Sequence, residues 1–170
     1  MAGNQNKLPR QLKAYNMYQD GDSYAGRCDT FTLPALAFLL EEHRAGGMDA
    51  PIQLELGMEA MQATFVVSDN DDKLFKLMGQ SNVPIALRGG VQAQGKDPEA
   101  VVVNLRGMLV SKEDSDWAPG QKSTTTYTMA LQYFRYRQNG EELCEIDIIN
   151  MVRKFGGEDQ LKKLRNAIGM

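Results

Sequence analysis

Residues 122–149 read KSTTTYTMALQYFRYRQNGEELCEIDII and hold the strongest local signal in the chain. Asn139-Gly140 is a dipeptide typical of a two-residue β-turn, and alternating polar and apolar residues flank it on both sides. The sequence therefore predicts a hairpin of two strands, 122–138 and 141–149. Counting back from the turn predicts the cross-strand pairs Arg137–Glu142, Tyr136–Leu143, Tyr133–Ile146, Gln132–Asp147 and Leu131–Ile148.

The alternation divides this hairpin into a core face and a polar face, because successive side chains of a strand point to opposite sides. The expected core residues are Tyr127, Met129, Leu131, Tyr133, Cys144, Ile146 and Ile148. The opposite face carries Thr124, Thr126, Thr128, Gln132, Glu145 and Asp147. This polar row is longer than an ordinary domain needs.

The composition is that of one globular domain. A chain of 170 residues can bury roughly 68 to 70% of its unfolded surface. A net charge of -3 excludes a generally basic nucleic-acid binder. No apolar segment follows the positively charged amino terminus, and the longest apolar run, Leu33 to Leu40, is far shorter than the about 20 residues of a membrane span. We therefore expect a soluble, cytoplasmic product without a membrane segment.

Alternating segments predict further strands, which makes the expected fold class mainly β. These strands are 14–19 and 23–27 around the turn Asp20-Gly21, then 35–44, 52–56, 61–67, 83–94 and 101–112. One short central helix follows Asp69 and Asn70, which can cap it. A C-terminal helix is expected over 158–168, where the stripe Leu161, Leu164 and Ile168 should dock on the sheet of the same domain.

The residues needed for catalysis or metal binding do not form a recognisable group. His43 is the single histidine, and no phosphate-binding or dinucleotide motif occurs. Cys28 and Cys144 are far apart and are expected to be free thiols. Trp117, in the polar loop 113–121, is expected to pin that loop to the body of the domain. We therefore expect no enzyme activity, no cofactor and no metal.

The glycine-containing segment EEHRAGGMDAP, residues 41–51, lies between two strongly patterned segments and cannot itself form a core. Gly46 and Gly47 permit backbone angles closed to other residues, and Pro51 restricts Ala50. From the residue types alone, the segment is either a long connection or an arm that reaches a neighbouring subunit.

Motifs along nearly the whole chain resemble the major tube proteins of contractile phage tails and of the related R-type pyocins. The amino-terminal half contributes LPRQLKAYNMYQDGDSYAG (8–26), TLPALA (32–37), HRAGGMDAP (43–51) and LGMEAM (56–61). The carboxy-terminal half contributes YRQNGEELCEIDIINMVRKFGG (136–157) and EDQLKKLRNAIG (158–169). RAGGMDAP and EIDIIN are the most specific of these segments. The sequence departs from the family at His43, where many relatives are expected to have an aromatic residue.

This resemblance implies one tail tube domain, 1–170, with a β-sandwich or barrel-like fold. An extended N-terminal arm, 1–13, precedes it. The resemblance also makes 44–51 an inter-subunit loop, formed by Arg44, Ala45, Gly46, Gly47, Met48, Asp49, Ala50 and Pro51.

The resemblance further implies six subunits to a ring, with rings stacked into a hollow tube. Open sheet edges would then be paired between neighbours. Thr124, Thr126, Thr128 and Gln132 would line the lumen, with Glu55, Gln62, Thr64, Asn104 and Arg106 as weaker candidates. A lumen that passes DNA without binding it is expected to be neutral or negative despite Arg106.

The partners implied by the resemblance are other copies of this chain, a contractile sheath protein, and baseplate and tail terminator proteins. The particle would be a virion tail or tail-like particle assembled in the bacterial cytoplasm. It would conduct DNA, or in a headless pyocin dissipate the membrane potential. Two alternatives stay open: the secreted tube of a type VI-like injection system, and a monomeric β-barrel that binds a small ligand.

Overall fold

The structure is a computed structural model that describes residues 7–170. Within them the chain forms twelve strands and two short helices. The strands are β1 (Gln11–Gln19), β2 (Asp22–Ser23), β3 (Cys28–Thr32), β4 (Phe38–His43), β5 (Ile52–Met58), β6 (Gln62–Val67), β7 (Val83–Gln92), β8 (Glu99–Asp114), β9 (Thr125–Gln138), β10 (Glu141–Asp147), β11 (Val152–Phe155) and β12 (Glu158–Asp159). The helices are α1 (Asp72–Lys76) and α2 (Lys162–Ala167).

The longest strands, β8 and β9, form the centre of the fold. They are antiparallel from the pair Asp114–Thr125 to the pair Val101–Gln138. The other edge of β9 is divided between two partners, because β6 pairs with its first half and β10 with its second half. Strand β9 therefore connects β6 and β10, which do not pair with each other.

Ten strands belong to one antiparallel sheet in the described part of the chain. Its main path runs β12-β11-β10-β9-β8-β7-β1-β2, and a branch runs from β9 through β6 to β3. The sheet curls around its core, and the Tyr15 hydroxyl on β1 donates a hydrogen bond to the Cys28 carbonyl on β3 at 3.3 Å. Inside, Phe65 stacks between Phe31 and Tyr127 at centroid distances of 5.3 and 5.4 Å. The predicted mainly β fold with a central and a C-terminal helix is confirmed.

The predicted register of the 139–140 hairpin is wrong beyond its first pairs. Arg137 faces Glu142 as expected, but Leu143 is an extra residue that forms a β-bulge. From there the register shifts by one residue, so the pairs predicted for Tyr136, Tyr133, Gln132 and Leu131 do not form. The observed pairs are Tyr136–Cys144, Arg135–Glu145, Phe134–Ile146 and Tyr133–Asp147.

A second bulge, at Gln132, changes which residues of β9 face the core. Arg106 is opposite Tyr133 and Gly107 is opposite Leu131, so Gln132 has no partner on β8. Phe134 is therefore buried in place of the predicted Tyr133. Ile148 was also expected in the core, but β10 ends at Asp147 and Ile148 is exposed. The other expected core residues, Tyr127, Met129, Leu131, Cys144 and Ile146, are buried.

Several predicted boundaries differ from the structure. The strand expected at 23–27 is reduced to Asp22–Ser23, and the strand expected at 35–44 spans Phe38–His43. Residues 11–13, assigned to the N-terminal arm, belong to β1, and residues 1–6 of that arm lie outside the described residues. The Asp20-Gly21 turn is present, with left-handed φ angles of 49° and 87°.

The central helix has a different cap from the one predicted, and the C-terminal helix is shorter than predicted. The cap of α1 is Asp71, not Asp69 or Asn70, and its carboxylate accepts from the amides of Lys73 and Leu74 at 2.7 and 3.1 Å. Glu158 and Asp159 form a strand, so the helix predicted from 158 begins at Lys162. Leu164 and Ile168 remain about half exposed. Leu161 is half-buried, and with Leu164 it lines a cavity that Ile146 and Val152 also line. The predicted docking of this stripe on the sheet is therefore partial, because the short helix leaves Ile168 exposed.

Gly107 is the most restricted glycine in the sheet, and its replacement by alanine tests the β8–β9 packing. A Cβ there would overlap the Ala130 carbonyl oxygen and lie 2.9 Å from the Leu131 Cα. We expect Gly107→Ala to lower the free energy of unfolding by about 3 kcal/mol or more, because backbone atoms of both strands must move. Chemical denaturation measures this. Gly90→Ala on β7 is the matched control, since its Cβ would meet nothing within 4 Å. An equal loss of unfolding free energy in both variants would show that the close β8–β9 packing at Gly107 is not the cause.

Candidate assembly surfaces

The hairpin of β4 and β5 stands apart as a separate two-stranded sheet. His43 pairs with Ile52 next to the loop, and Phe38 pairs with Met58 at the base. Its large apolar side chains are 39 to 55% exposed, namely Phe38, Leu39, Leu40, Ile52, Leu54 and Leu56. Ile52, Leu54 and Leu56 alternate along β5 and therefore share one face of the hairpin. Exposed apolar surface of this kind is typical of a protein–protein contact.

The predicted inter-subunit loop forms the tip of this hairpin. Its residues are exposed except Met48, which is half-buried: Arg44, Ala45, Gly46, Gly47, Asp49, Ala50 and Pro51. A turn shapes the tip, since the Met48 amide donates to the Ala45 carbonyl at 3.2 Å. Gly47 has a φ of 85°, which a residue with a side chain rarely adopts. The tip is therefore an ordered, outward-pointing turn.

An ion pair fixes the base of the hairpin to the main sheet. The Arg153 guanidinium on β11 donates to both Glu55 carboxylate oxygens, at 2.8 and 3.4 Å. The same guanidinium lies 5.1 Å from the centre of the Phe38 ring. The hydrogen bond from Arg153 lowers the pKa of Glu55 below its ordinary value. Glu55 therefore serves as an anchor and does not lie with the other lumen-lining candidates.

Six of the lumen-lining candidates share the face of the main sheet that is opposite the core, which we call the open face. These six are Gln62, Thr64, Asn104, Arg106, Thr126 and Thr128. Thr64 lies opposite Thr128, and Thr126 lies opposite Val66. Thr124 precedes β9, where its amide donates to the Ser115 hydroxyl at 2.9 Å, and Gln132 occupies the bulge.

The open face has a hydroxyl half and an arginine half. Threonines of β6 and of the first half of β9 form the hydroxyl half. The arginine half contains Arg88 on β7, Arg106 on β8, and Arg135 and Arg137 on the second half of β9. Arg135 and Arg137 were missed as surface candidates because the predicted register did not include the bulge at Gln132. Arg88, on β7, was also not among the predicted surface residues.

Aromatic and carboxylate groups hold these arginines. Arg106 lies 4.2 Å from the Tyr133 ring centre and Arg88 lies 5.5 Å from the Tyr18 ring centre, both cation–π contacts. The Arg135 Nε is 2.6 Å from a Glu142 carboxylate oxygen. The alternation of Arg135 and Arg137 with buried or half-buried aromatics in FRYR was a signal that could have found this half.

A second carboxylate extends the network across β10 and β11. Glu145 accepts from the Tyr133 hydroxyl and from the Lys154 ammonium, both at 3.0 Å. Burial acts to raise the pKa of Glu145, but these hydrogen bonds outweigh it, so the pKa lies below its ordinary value. The carboxylate therefore stays ionised and neutralises Lys154.

The described residues contain no site with evident chemistry. In 7–170, no three His, Cys, Asp or Glu side chains are grouped to hold a metal ion. Cys28 and Cys144 are free thiols as predicted, and burial raises the pKa of Cys144 to about 11. Neither helix in this part of the chain has the length and apolar character needed to cross a membrane.

The chain is similar to known tail proteins along nearly its whole length. The model of the family "Phage tail tube protein FII" matches residues 9–169. The chain belongs to the phage tail tube protein family. This is a family of structural proteins and not of enzymes, and its members are components of a phage tail or tail-like particle.

Two phage proteins are similar to this chain over nearly its whole length. The tail tube protein of Escherichia phage P2 is 33% identical over 170 residues, covering 96% of this chain and 99% of that protein. The major tail tube protein of Serratia phage KSP20 is 25% identical over 167 residues, covering 96% and 98%.

The structural matches concern the fold alone. A sheath/tube terminator of an extracellular contractile injection system, PVC, matches with a TM-score of 0.61 at 8% identity, covering 78% of this chain and 99% of that chain. A chain of the PVC sheath–tube complex matches with a TM-score of 0.59 at 9% identity, covering 76% and 91%. The tail tube protein fold of this chain therefore extends to structures with little sequence identity.

Removal of the Glu55 charge tests whether Arg153 anchors the hairpin. In Glu55→Gln we expect amide hydrogen exchange in β4 and β5 to be faster by roughly two- to fivefold, as for loss of an exposed ion pair. Because the folded-state pKa of Glu55 is lowered, the ion pair stabilises the hairpin above the unfolded carboxyl pKa and is lost as pH falls through the folded pKa. Acidification should thus loosen the wild-type hairpin and not that of the variant. Glu41→Gln is the control, and equal exchange in both variants would refute the anchor.

Proposed function

We propose that six copies of this chain close into a ring and that rings stack into the hollow inner tube of a contractile tail. After sheath contraction this tube would conduct DNA, or in a headless particle dissipate the membrane potential. The observation that carries the proposal is the β4–β5 hairpin, whose apolar side chains are exposed in the subunit. Burying such a surface against a neighbour is favourable by about 25 cal/mol for each Å² of apolar area.

Open strand edges support lateral closure of the ring. One edge of β1 pairs with β7, whereas on the other edge β2 reaches only Tyr18 and Gln19. Residues 11–16 therefore offer unpaired backbone groups to a neighbouring strand, as does either edge of the hairpin. Exposed edges are a liability in a monomer, and closing them between subunits removes it. The loop 44–51, at the tip of the hairpin, would then contact adjacent subunits.

The hydroxyl half of the open face suits the lumen. Threonine and glutamine side chains are neutral, so they release no counterions when a phosphate passes. Thr64, Thr126, Thr128 and Gln62 would line the channel, with Thr124 and Gln132 at the two ends of the threonine row. The arginine half, held by tyrosines and carboxylates, would lie outside the path of the DNA.

The surface away from the lumen would bind the sheath. The solved PVC complex contains a sheath and a tube, which supports a sheath partner for this chain by analogy of fold. Helix α2 is a candidate contact, because Leu164 and Ile168 are exposed beside Lys162 and Lys163. Baseplate and terminator proteins would bind the tube ends, and assembly would occur in the bacterial cytoplasm before incorporation in the tail.

Valine at Gly46 and Gly47 tests the hairpin tip. We expect the variant to fold with an unchanged circular dichroism spectrum but to form no tubes in negative-stain electron microscopy, because a side chain at Gly47 forces a different turn. Wild-type protein should show six-fold rings and hollow tubes as concentration rises. Gly169→Val is the control, since Gly169 also has a left-handed φ, of 79°, with nothing within 4 Å of its Cβ, and lies far from the hairpin in sequence. Normal tubes from the 46/47 variant would refute the arm.

DNA binding by assembled tubes tests the lumen assignment. At physiological salt we expect no retention of short duplex DNA by sedimented tubes, because the hydroxyl half supplies no cations to the path. Each phosphate paired with Arg would instead add salt-dependent affinity, with a slope of about -0.9 per contact on a logarithmic plot. Tight binding that weakens steeply with salt would place the arginine half in the lumen and contradict the proposal.

A further inference from the structure

Trp117 is presented to solvent by an ordered loop. It lies between β8 and β9, and its side chain is 85% exposed, so the prediction that it pins the loop to the domain is wrong. The loop is closed at its base, where the Ser115 amide donates to the Thr124 carbonyl at 2.8 Å and the Thr125 hydroxyl donates to Asp114 at 2.7 Å. Tryptophan is among the residues most enriched at the energetic centres of interfaces. The exposed indole on this loop is therefore a candidate contact for another protein surface.

The same loop carries negative charge. Glu113 and Asp116 are exposed, and neither has a cationic partner among residues 7–170. Asp114 already pairs with Lys112. A surface that receives Trp117 should thus combine apolar area with positive charge at its rim.

A groove with these properties lies at the opposite end of the same two strands. It encloses about 1030 Å³ between the segment 7–10 and the β7–β8 connection, and its apolar lining includes Leu8, Pro9 and Pro98. Lys7 and Lys96 also line it and have no carboxylate partner in the described residues. Arg10 on one wall pairs with Glu99 on the other at 2.6 Å, which holds the two walls together.

The strand pairing sets the distance between the two surfaces. The loop follows the pair Asp114–Thr125, and the groove adjoins Val101–Gln138, where the Asn139 amide donates to the Ala100 carbonyl at 2.7 Å. Fourteen residues of β9 separate them by about 45 Å at 3.3 Å per residue. The loop of one subunit therefore cannot reach its own groove. A contact between different surfaces of two identical chains closes into a ring when its rotation permits, and otherwise propagates as an open stack. The loop and the groove lie at opposite ends of the two longest strands, which favours a contact along a stack.

We propose that the Trp117 loop of one copy inserts into the 7–10/93–98 groove of a copy in the next ring. Trp117 packs on Leu8, Pro9 and Pro98, while Glu113 and Asp116 lie near Lys7 and Lys96. This inference rests on the proposed stacking of rings and names the contact that would produce it. It also gives the tube a direction, since every ring presents its loops at one end and its grooves at the other.

Trp117 is the only tryptophan in the chain, so its fluorescence reports directly on this contact. Dissociated subunits should emit at the wavelength of a solvent-exposed indole, and tubes should show a clear blue shift because the indole is buried. Tubes with unshifted emission would overturn the inference while leaving the tube function intact. Emission that shifts only when a sheath protein is added would overturn it as well. A wild-type chain that forms no tubes at any concentration would count against the proposed function itself.

Substitutions separate stacking from ring formation. Trp117→Ala should raise the concentration needed for tubes by roughly thirtyfold or more while leaving six-fold rings, as for an interface tryptophan. Trp117→Phe should need a concentration for tubes between those of the wild type and Trp117→Ala. Ile149→Ala, which removes another exposed apolar side chain, should form tubes at the wild-type concentration. Asp116→Lys and Lys96→Glu should each impair stacking, whereas the double variant should regain it. Failure of the double variant to exceed either single one, or normal tubes from Trp117→Ala, would refute the pairing.

Discussion

The packing of Gly107 against the Ala130 backbone is the constraint on which the rest of the structure depends. At this point β8 and β9 approach too closely for any side chain, and the next residues of β9 bulge at Gln132. The bulge changes which side of β9 faces the core, and it separates the stretch that pairs with β6 from the stretch that pairs with β10. One local irregularity therefore produces both the branched sheet and the division of the open face into a hydroxyl half and an arginine half.

The β4–β5 hairpin does not pair with this branched sheet. Both edges of β9 are occupied, and the chain leaves β5 through Gly57, whose φ of 125° turns it toward β6. At its base the hairpin is held by the Glu55–Arg153 ion pair and by the contact between the Phe38 and Phe155 rings, and most of its large apolar side chains are exposed. The subunit therefore buries a continuous core but leaves the apolar side chains of the hairpin exposed. In a tail tube protein, the missing contacts are those that neighbouring copies would supply.

Local patterns in the sequence were sufficient for the long strands and for most of the core, whereas the short strands β3, β11 and β12 were not predicted. Asn139-Gly140 and Asp20-Gly21 placed their turns correctly, because a turn depends on the residues within it. The bulges at Leu143 and Gln132 could not be predicted in this way, since a bulge depends on the partner strand. Because the bulge at Gln132 was not predicted, Tyr133 was expected in the core, where Phe134 lies instead. Exposure of Trp117, Leu164 and Ile168 was missed because the sequence alone does not show which apolar residues lack a partner within the subunit. For the candidate surfaces, the threonine row was foreseen as a polar face, whereas the arginines beside it were not.

A reconstruction of the assembled particle by electron cryomicroscopy would show directly how the subunits meet. We expect six-fold rings stacked into a hollow tube, with Thr64, Thr126 and Thr128 facing the channel and the β4–β5 hairpin of each subunit buried against a neighbour. A tube whose channel is lined by another face, or whose hairpins remain in solvent, would contradict this arrangement.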